Sequence, residues 1–255
     1  MRSGSKRSLC MQGYCNHSQQ YPRRGKNAGI IYRKQLKDTG KNMALWIQFF
    51  MFPLMAAIME NSIRVEGLPA HFFVGMFTVM HIGMAPLTVS AAIISEEKEK
   101  NTLRMLLFAN VRPSEYLCGT GGFVFTACMA GGVVFGFLGG YTGKRLLLFG
   151  LIMAAGILAS MLFGAAIGVW SRNQIAATAV VTPVMMVLAF LPMLAMFNPT
   201  IEKVAGFAYS QHIQQLLNSL SAGTPVEAEH MVVIAVNVVI AAALFGIAYR
   251  RRGLL

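Results

Sequence analysis

The chain alternates between long apolar segments without a formal charge and shorter polar segments. Six apolar segments are long enough, or nearly so, to cross a hydrocarbon core about 30 Å thick as a helix rising about 1.5 Å per residue. They comprise residues 43–59, 72–94, 116–142, 146–171, 173–200 and 231–249. These runs are unbroken and lack the roughly ten-residue alternation of a membrane barrel. The pattern therefore predicts an all-α integral membrane protein with six transmembrane helices.

A dense polar stretch separates the second apolar segment from the third. Eight of the chain's 22 basic and 10 acidic residues lie between Glu96 and Glu115. We predict that the second helix extends out of the membrane here, that a short helix follows, and that Pro113 begins the third membrane helix. Glu96 and Lys100 have the spacing of an i, i+4 ion pair. The short helix would be a docking element with one apolar face, formed by Leu103, Leu106 and Leu107.

The N-terminal region divides into two parts. Residues 1–27 are rich in Ser, Gly, Asn, Gln and Arg and lack the apolar core of a cleavable signal peptide, so we predict a disordered cytosolic tail ahead of a membrane domain at 28–255. Over residues 28–41, apolar residues at helical spacing oppose a basic face, which predicts a short interfacial helix. A solvated basic linker is the alternative interpretation.

The distribution of Lys and Arg predicts the orientation in the membrane, because basic residues concentrate on the cytosolic side. With the N-terminus inside, 18 of the 22 basic residues are cytosolic. The four outside are Arg64, Lys144, Arg145 and Lys203. Both termini and the polar stretch are then cytosolic.

Small residues recur every four positions in the third and fourth apolar segments. They are Gly132, Gly136 and Gly140 in one, and Gly156, Ser160, Gly164 and Gly168 in the other. Such stripes allow close approach of helix backbones in lipid, so we predict helix–helix contacts along them.

The fifth apolar segment and the region after it have their own features. Pro183 and Pro192 each remove a backbone hydrogen bond, which favours a kinked and discontinuous helix. Residues 201–220 place apolar side chains at i, i+3 and i+4 intervals, which predicts one or two amphipathic helices dipping into the outer leaflet.

Composition agrees with a membrane protein and limits its chemistry. Only 13% of residues are charged and 55% are hydrophobic, whereas soluble domains have roughly 25% charged residues. The net charge of +12 is not clustered on a soluble domain with nucleic-acid-binding motifs, so we predict membrane topology and no nucleic-acid partner.

No catalytic or metal-binding set of residues is evident. The four cysteines, Cys10, Cys15, Cys118 and Cys128, form neither a disulfide framework nor a complete metal site. The five histidines include no His-Glu-x-x-His pair, and the apolar segments contain no carboxylate. We therefore predict no catalytic residue, no metal and no cofactor bound by this chain.

A few residues inside the apolar segments are candidates for a substrate path. They are Gln48, Met51, Met55, His81 and Asn237. The polar ones, with Thr182, are favoured as interhelical hydrogen-bond partners instead. The methionines form flexible stripes that suit amphiphile binding, but lipid-facing or packing roles are favoured for them.

The polar stretch resembles the signature of permeases of ABC-2 type ATP-binding-cassette transporters. The matching residues are Glu96-Glu97-Lys98-Glu99-x-Asn101-Thr102-Leu103-x-x-Leu106-Leu107 and then Val111-Arg112-Pro113-Ser114-Glu115-Tyr116. The family usually has Gly at the position of Asn101 and often an acid at that of Arg104. The resemblance extends from about Ala28 to a final basic run at residues 249–253.

The resemblance implies partners and site residues. Two permease subunits would pair, as a homodimer or a heterodimer, and two separate ATPase subunits carrying ATP and Mg would bind beneath them. The loop between spans two and three would be the coupling helix. Its docking residues would be Glu96, Glu97, Glu99, Thr102, Leu103, Leu106, Leu107, Phe108 and Arg112. The apolar ones would enter a groove of the ATPase while the acids set orientation by charge.

The predicted function is therefore the permease subunit of an ATP-driven exporter of amphiphilic compounds, such as drugs or antimicrobial peptides, in a bacterial plasma membrane. The alternative is an ATP-independent carrier or channel. That class is typified by inverted repeats and intramembrane ionisable groups, and neither is evident here.

Overall fold

The computed structural model describes residues 26–40, 42–63, 71–102, 105, 113–225 and 227–251. Regular structure in these ranges consists of nine helices. They are α1 (Lys26–Thr39), α2 (Met43–Ser62), α3 (Phe72–Glu99), α4 (Pro113–Leu138), α5 (Gly143–Trp170), α6 (Gln174–Ala195), α7 (Pro199–Ala205), α8 (Tyr209–Ala222) and α9 (Ala228–Arg251). The prediction of an all-helical chain is confirmed for this part of it, and α4 begins at Pro113 as expected.

Among the residues that the structure describes, five helices are long and apolar enough to cross a membrane: α3, α4, α5, α6 and α9. The first predicted span corresponds to α2, a helix of 20 residues that is not among the five. The chain is thus a multi-pass membrane protein by length and composition, and the count of six spans stays a prediction.

Helix α3 is the centre of the bundle. Of its most apolar 18 residues, 83% are buried, against 17% in α9. It packs against α2, α4, α5, α6 and α8. A helix that is apolar all round is expected in such a position, because every face meets another helix.

The small-residue stripe of α5 lies against α3. A methyl group at Gly164 would overlap the carbonyl oxygen of Leu87, and one at Gly168 would stand 2.9 Å from the carbonyl oxygen of Ala91. Between them and Gly156, Ser160 donates a hydrogen bond of 2.5 Å to the Ile82 carbonyl. The predicted helix contact is confirmed for this stripe.

The stripe of α4 is confirmed in part. Gly132 and Gly136 face the side chains of Met153 and Leu146 in α5. Gly140 was expected in the same contact, but it lies in the turn after α4 with φ +63°. Its role is conformational, because a left-handed backbone favours glycine.

The prediction of a discontinuous fifth span is wrong. Helix α6 runs unbroken from Gln174 to Ala195 through both Pro183 and Pro192. It is also shorter than the apolar run at 173–200, because a new helix begins at Pro199. There the Asn198 side chain accepts a hydrogen bond of 2.9 Å from the Thr200 N–H, which is a standard N-cap.

Two helices follow α6, as predicted, but the apolar face of α8 does not meet lipid. Tyr209, Ile213, Leu216, Leu217 and Leu220 are buried in the main core. The helix packs against α3, α5, α6 and α9, and the Tyr209 hydroxyl lies 2.6 Å from Ser160 Oγ. The predicted contact with the outer leaflet is therefore wrong for α8, because periodicity identifies an apolar face but not what covers it.

The two ends of the bundle differ in charge. At one end, an apolar cluster including Ile31, Ile94, Tyr116, Val169 and Ala248 joins α1, the end of α3, the start of α4 and the ends of α5 and α9. The described basic residues predicted as cytosolic lie in these elements or within two residues of their ends.

At the opposite end, the Tyr141 hydroxyl lies 2.8 Å from Ser221 Oγ and His71 Nδ1 lies 3.1 Å from Glu60 Oε1. Lys144 and Arg145, predicted as external, begin α5 beside this end. The bundle thus separates the two predicted sets of basic residues, while the side each occupies stays a prediction.

Candidate functional site at the end of α3

The last turn of α3, residues 96–99, joins three other helices. We call it the charged turn. Its Glu97 is only 7% exposed. Glu97 Oε1 accepts hydrogen bonds from Lys34 Nζ at 2.6 Å and from Gln35 Nε2 at 2.8 Å. Both donors belong to α1, so the charged turn bonds directly to α1.

Lys98 and Glu99 bond to the ends of two further helices. Lys98 Nζ donates to the carbonyl oxygens of Val169 at 2.6 Å and Ser171 at 2.8 Å, at the C-terminus of α5. Glu99 Oε2 accepts a hydrogen bond of 2.9 Å from the N–H of Gln174, the first residue of α6. A cation at a helix C-terminus and an anion at an N-terminus are the favourable arrangements for the helix dipole.

The remaining acid of the charged turn pairs within α3. Glu96 Oε1 lies 2.5 Å from Lys100 Nζ, which confirms the predicted i, i+4 pair. This hydrogen bond raises the pKa of the Lys100 ammonium. The pair is more exposed than the Glu97 contacts, so it contributes less to stability.

These contacts make the charged turn a mechanical junction. Glu97, Lys98 and Glu99 are consecutive, yet each bonds to a different helix: α1, α5 or α6. The apolar cluster of Ile31, Ile94 and Val169 packs in the same region of these helices. The end of α3 is therefore bonded to three other helices at one place.

The turn that ends α3 explains why the family motif can have Asn101 where Gly is usual. Asn101 has φ +53°, in the left-handed region that glycine adopts freely. Asn is one of the few other residues that adopts this conformation readily, particularly after a helix end. The change from the Gly usual in the family to Asn101 thus keeps the same turn. Thr102 Oγ1 then donates to the Glu97 carbonyl at 3.0 Å, which folds the chain back on α3.

The sequence-predicted docking residues are only partly placed. Glu96, Glu97 and Glu99 bond within the chain, and Thr102 packs on α3; their contact with an ATPase stays a prediction. The apolar face and Arg112 fall outside the described residues. Those positions are Leu103, Leu106, Leu107, Phe108 and Arg112.

A cleft of about 660 Å³ opens beside the charged turn. Its walls come from α1, the start of α2 and the end of α3. The charged residues that line it are Lys34, Asp38, Glu96, Glu97 and Lys100. Ile93, Met43 and Leu45 form its apolar part.

The candidates for a substrate path have other partners. Gln48 Oε1 accepts a 2.7 Å hydrogen bond from Thr88, and His81 Nε2 donates to the Cys128 carbonyl at 3.2 Å. Asn237 Nδ2 donates to the carbonyl oxygens of Val233 at 2.9 Å and Phe207 at 3.3 Å. Interhelical bonding is confirmed for Gln48 and His81, while Asn237 joins α9 to the α7–α8 connection.

Two candidate groups remain. Thr182 was expected to bond between helices but donates to Thr178 of its own helix at 2.8 Å. Met51 and Met55 are 41% and 40% exposed on α2, so they do not belong to the core. A substrate path along these residues stays a prediction. Within the described ranges, no group of three or more His, Cys, Asp and Glu residues is arranged to hold a metal ion.

Comparison with known proteins decides the family. The family model described as an ABC-2 family transporter protein matches residues 29–250. The chain belongs to this family. A search of curated proteins found no match. Membership makes the chain a membrane subunit of an ABC transporter, which is not itself catalytic and associates with an ABC ATPase. The match covers almost all of the described chain from α1 to α9, and so includes the charged turn.

Sequence reasoning missed the contacts that hold α1 in this ABC-2 permease. Lys34 was expected on the basic face of the interfacial helix, facing water and lipid headgroups, Lys98 was considered as a topology signal and as part of the family motif, and Gln35 was not singled out. One signal was available: Ile31, Gln35 and Thr39 lie at i, i+4 and i+8, and all are buried. A glutamine on the buried face of an amphipathic helix requires a polar partner from elsewhere in the fold.

Replacement of Glu97 tests the junction. We expect Glu97→Ala to lower the free energy of unfolding by about 1–3 kcal/mol, because buried Gln35 loses its acceptor. Lys34→Gln should cost less, since Lys34 is 37% exposed and reaches water when unpaired. Thermal unfolding of the purified permease in detergent measures both. Glu96→Gln is the control, and an equal loss in that variant would contradict the assignment of Glu97.

Proposed function

We propose that this chain is the permease subunit of an ATP-driven exporter and that its ATPase binds at the end of α3. The observation that carries the proposal is the charged turn, which bonds to α1, α5 and α6 directly before the predicted docking residues. A nucleotide-driven push on those residues would move three helices of the permease together. This is the geometry that a coupling element requires.

The same proposal includes six membrane spans with cytosolic termini. Helix α2 has 20 residues, which corresponds to about 30 Å at 1.5 Å per residue. Ile47, Phe50, Leu54 and Ile58 leave 49% to 61% of their surface exposed along it. Such a face is suited to lipid or to a second permease subunit, and we place α2 in the membrane as the first span.

The substrate we propose is amphiphilic, such as a drug or an antimicrobial peptide. The six apolar runs carry no formal charge, and this composition suits an amphiphile more than a charged ion. In this proposal two permease subunits, identical or not, bind two ATPase subunits in a bacterial plasma membrane. ATP and Mg are held by the ATPase.

Co-purification tests the proposed function. The tagged chain, expressed in its native host, is isolated in several mild detergents, and we expect a soluble ATPase to be retained and to hydrolyse ATP. Reconstitution of that pair in vesicles should give ATP-dependent movement of an amphiphile out of the compartment that contains the ATPase. Movement of the amphiphile without ATP, with no ATPase retained in any detergent, would favour the carrier or channel instead.

A further inference from the structure

The start of α4 returns to the charged turn. The predicted short helix follows Thr102, and the chain enters α4 at Pro113. Near the start of α4, Tyr116 is only 5% exposed and packs in the same apolar cluster as Ile31 of α1 and Ile94 of α3. The end of α3 and the start of α4 therefore meet in one cluster, on either side of the predicted docking residues in the sequence.

The Tyr116 hydroxyl connects α4 to the charged turn. It donates a hydrogen bond to the Glu97 carboxylate and accepts one from Thr120. Glu97 Oε1 already accepts hydrogen bonds from Lys34 and Gln35, which leaves Oε2 as the acceptor for the hydroxyl. One carboxylate of α3 is thus bonded to side chains of both α1 and α4.

The three side chains of this connection lie away from water. Glu97, Tyr116 and Thr120 are 7%, 5% and 3% exposed. A hydrogen bond to a carboxylate is stronger than one between neutral groups, and a buried bond that breaks leaves polar atoms that water does not reach easily. The bond between Tyr116 and Glu97 therefore favours one relative position of the two helix ends.

The hydroxyl of Tyr116 is not needed for packing. A phenylalanine ring would fill the same place in the apolar cluster, and burying a hydroxyl is unfavourable unless it is hydrogen-bonded. Tyr249 of α9 provides a contrast at the same end of the bundle. Its ring packs on Phe245, with 5.9 Å between ring centroids, and its hydroxyl makes no hydrogen bond to the described residues. The Tyr116 hydroxyl is thus placed to join helices and not to fill space.

We propose that Tyr116 is a positioning residue for the coupling of ATP hydrolysis to transport, because its bond to Glu97 joins the two ends of the predicted coupling loop to each other and to α1. The inference rests on the proposed function, since it concerns the step after the ATPase has bound. A movement of the short helix would then displace the end of α3 and the start of α4 together. Without the hydroxyl the two ends would move separately, so part of each ATP-driven movement would not reach the spans.

The experiment compares Tyr116→Phe with the wild type in vesicles that contain the permease and its co-purified ATPase. Ethidium, a cationic amphiphile, is the transported probe, and both its ATP-dependent movement and the hydrolysis of ATP are measured. We expect the amount of ethidium moved per ATP hydrolysed to fall about threefold or more, which is the scale of one lost hydrogen bond. The affinity of the ATPase for the permease should stay unchanged, because Tyr116 is buried inside the permease.

Two further variants test the assignment. Tyr249→Phe is the matched control, because it removes a hydroxyl at the same end of the bundle, and it should leave the ratio of transport to hydrolysis unchanged. In a Glu97→Ala background, Tyr116→Phe should lower the ratio little further, since the bond is already absent. A merely structural loss would instead lower the melting temperature and reduce transport and hydrolysis together, with their ratio unchanged.

Three results would overturn the inference. An unchanged ratio in Tyr116→Phe, with the ATPase still bound, would remove the role of Tyr116 and leave the proposed function intact. An equal fall of the ratio in Tyr249→Phe would show that the effect does not depend on the bond to Glu97. A wild-type permease that retains no ATPase would contradict the proposed function, and this inference with it.

Discussion

Replacement of Gly164 by alanine is expected to destabilise the permease more than any other single methyl addition considered for α5. The added methyl group would overlap the backbone carbonyl oxygen of Leu87 in α3. A backbone atom cannot move aside as a flexible side chain can, so the two helices must separate. Overpacking of this kind costs about 1–3 kcal/mol, and occasionally more. Thermal unfolding in detergent should show a clear fall in the midpoint.

A matched control lies on the same helix. Gly150 has no heavy atom within 4 Å of the position that a methyl group would take. Gly150→Ala should therefore be neutral, or stabilising by up to about 1 kcal/mol, because alanine is the better helix former. Equal midpoints for the two variants would show that α3 and α5 are not in the close contact described here.

The double variant Leu106→Asp, Leu107→Asp is expected to abolish transport and to release the ATPase while leaving membrane insertion intact. Two carboxylates would occupy the apolar face that the sequence predicts for the short helix after α3, and burying them in a partner groove would be strongly unfavourable. The stretch lies in a polar loop, so insertion of the spans should not change. Vesicle transport, ATPase co-purification and the yield of membrane protein are the three measurements.

The control for this variant is Met105→Asp. In a helix from residue 103 to 107, position 105 points away from Leu103, Leu106 and Leu107, and Met105 is 66% exposed. Transport by Met105→Asp should stay near that of the wild type. Full transport by the double variant would contradict the assignment of the short helix as the docking element. Equal losses of transport in both variants would show that the loss does not depend on the apolar face.

The charged turn shows how far sequence reasoning reached in the candidate site. The motif around Glu96, Asn101 and Thr102 was recognisable, because local spacing predicts an i, i+4 pair and a turn. The partners of the same stretch were not recognisable. Glu97 meets Lys34 across 63 positions, and Lys98 meets Val169 across 71. A local pattern in the sequence does not predict contacts between residues so far apart along the chain.

Helix α8 shows the same limit in the fold. Its apolar spacing predicted an amphipathic helix, and the helix exists at residues Tyr209–Ala222. Its position was predicted wrongly, since lipid and the apolar surfaces of neighbouring helices both accept the same face. In the structure this face packs in the main core, and the Tyr209 hydroxyl bonds to Ser160 of α5.

The sequence by itself determined that the described chain is helical, that it has several segments apolar enough for a membrane, and which family motif follows α3. The physical reason is that backbone polar groups in lipid must be satisfied within the segment, so each membrane helix is specified locally. Only the tertiary structure decided that Glu97 is buried against α1, that Lys98 bonds to the end of α5 and Glu99 to the start of α6, and that a cleft opens beside them. Those contacts depend on how the helices pack, and packing in lipid rests on shape and on a few polar pairs between distant residues.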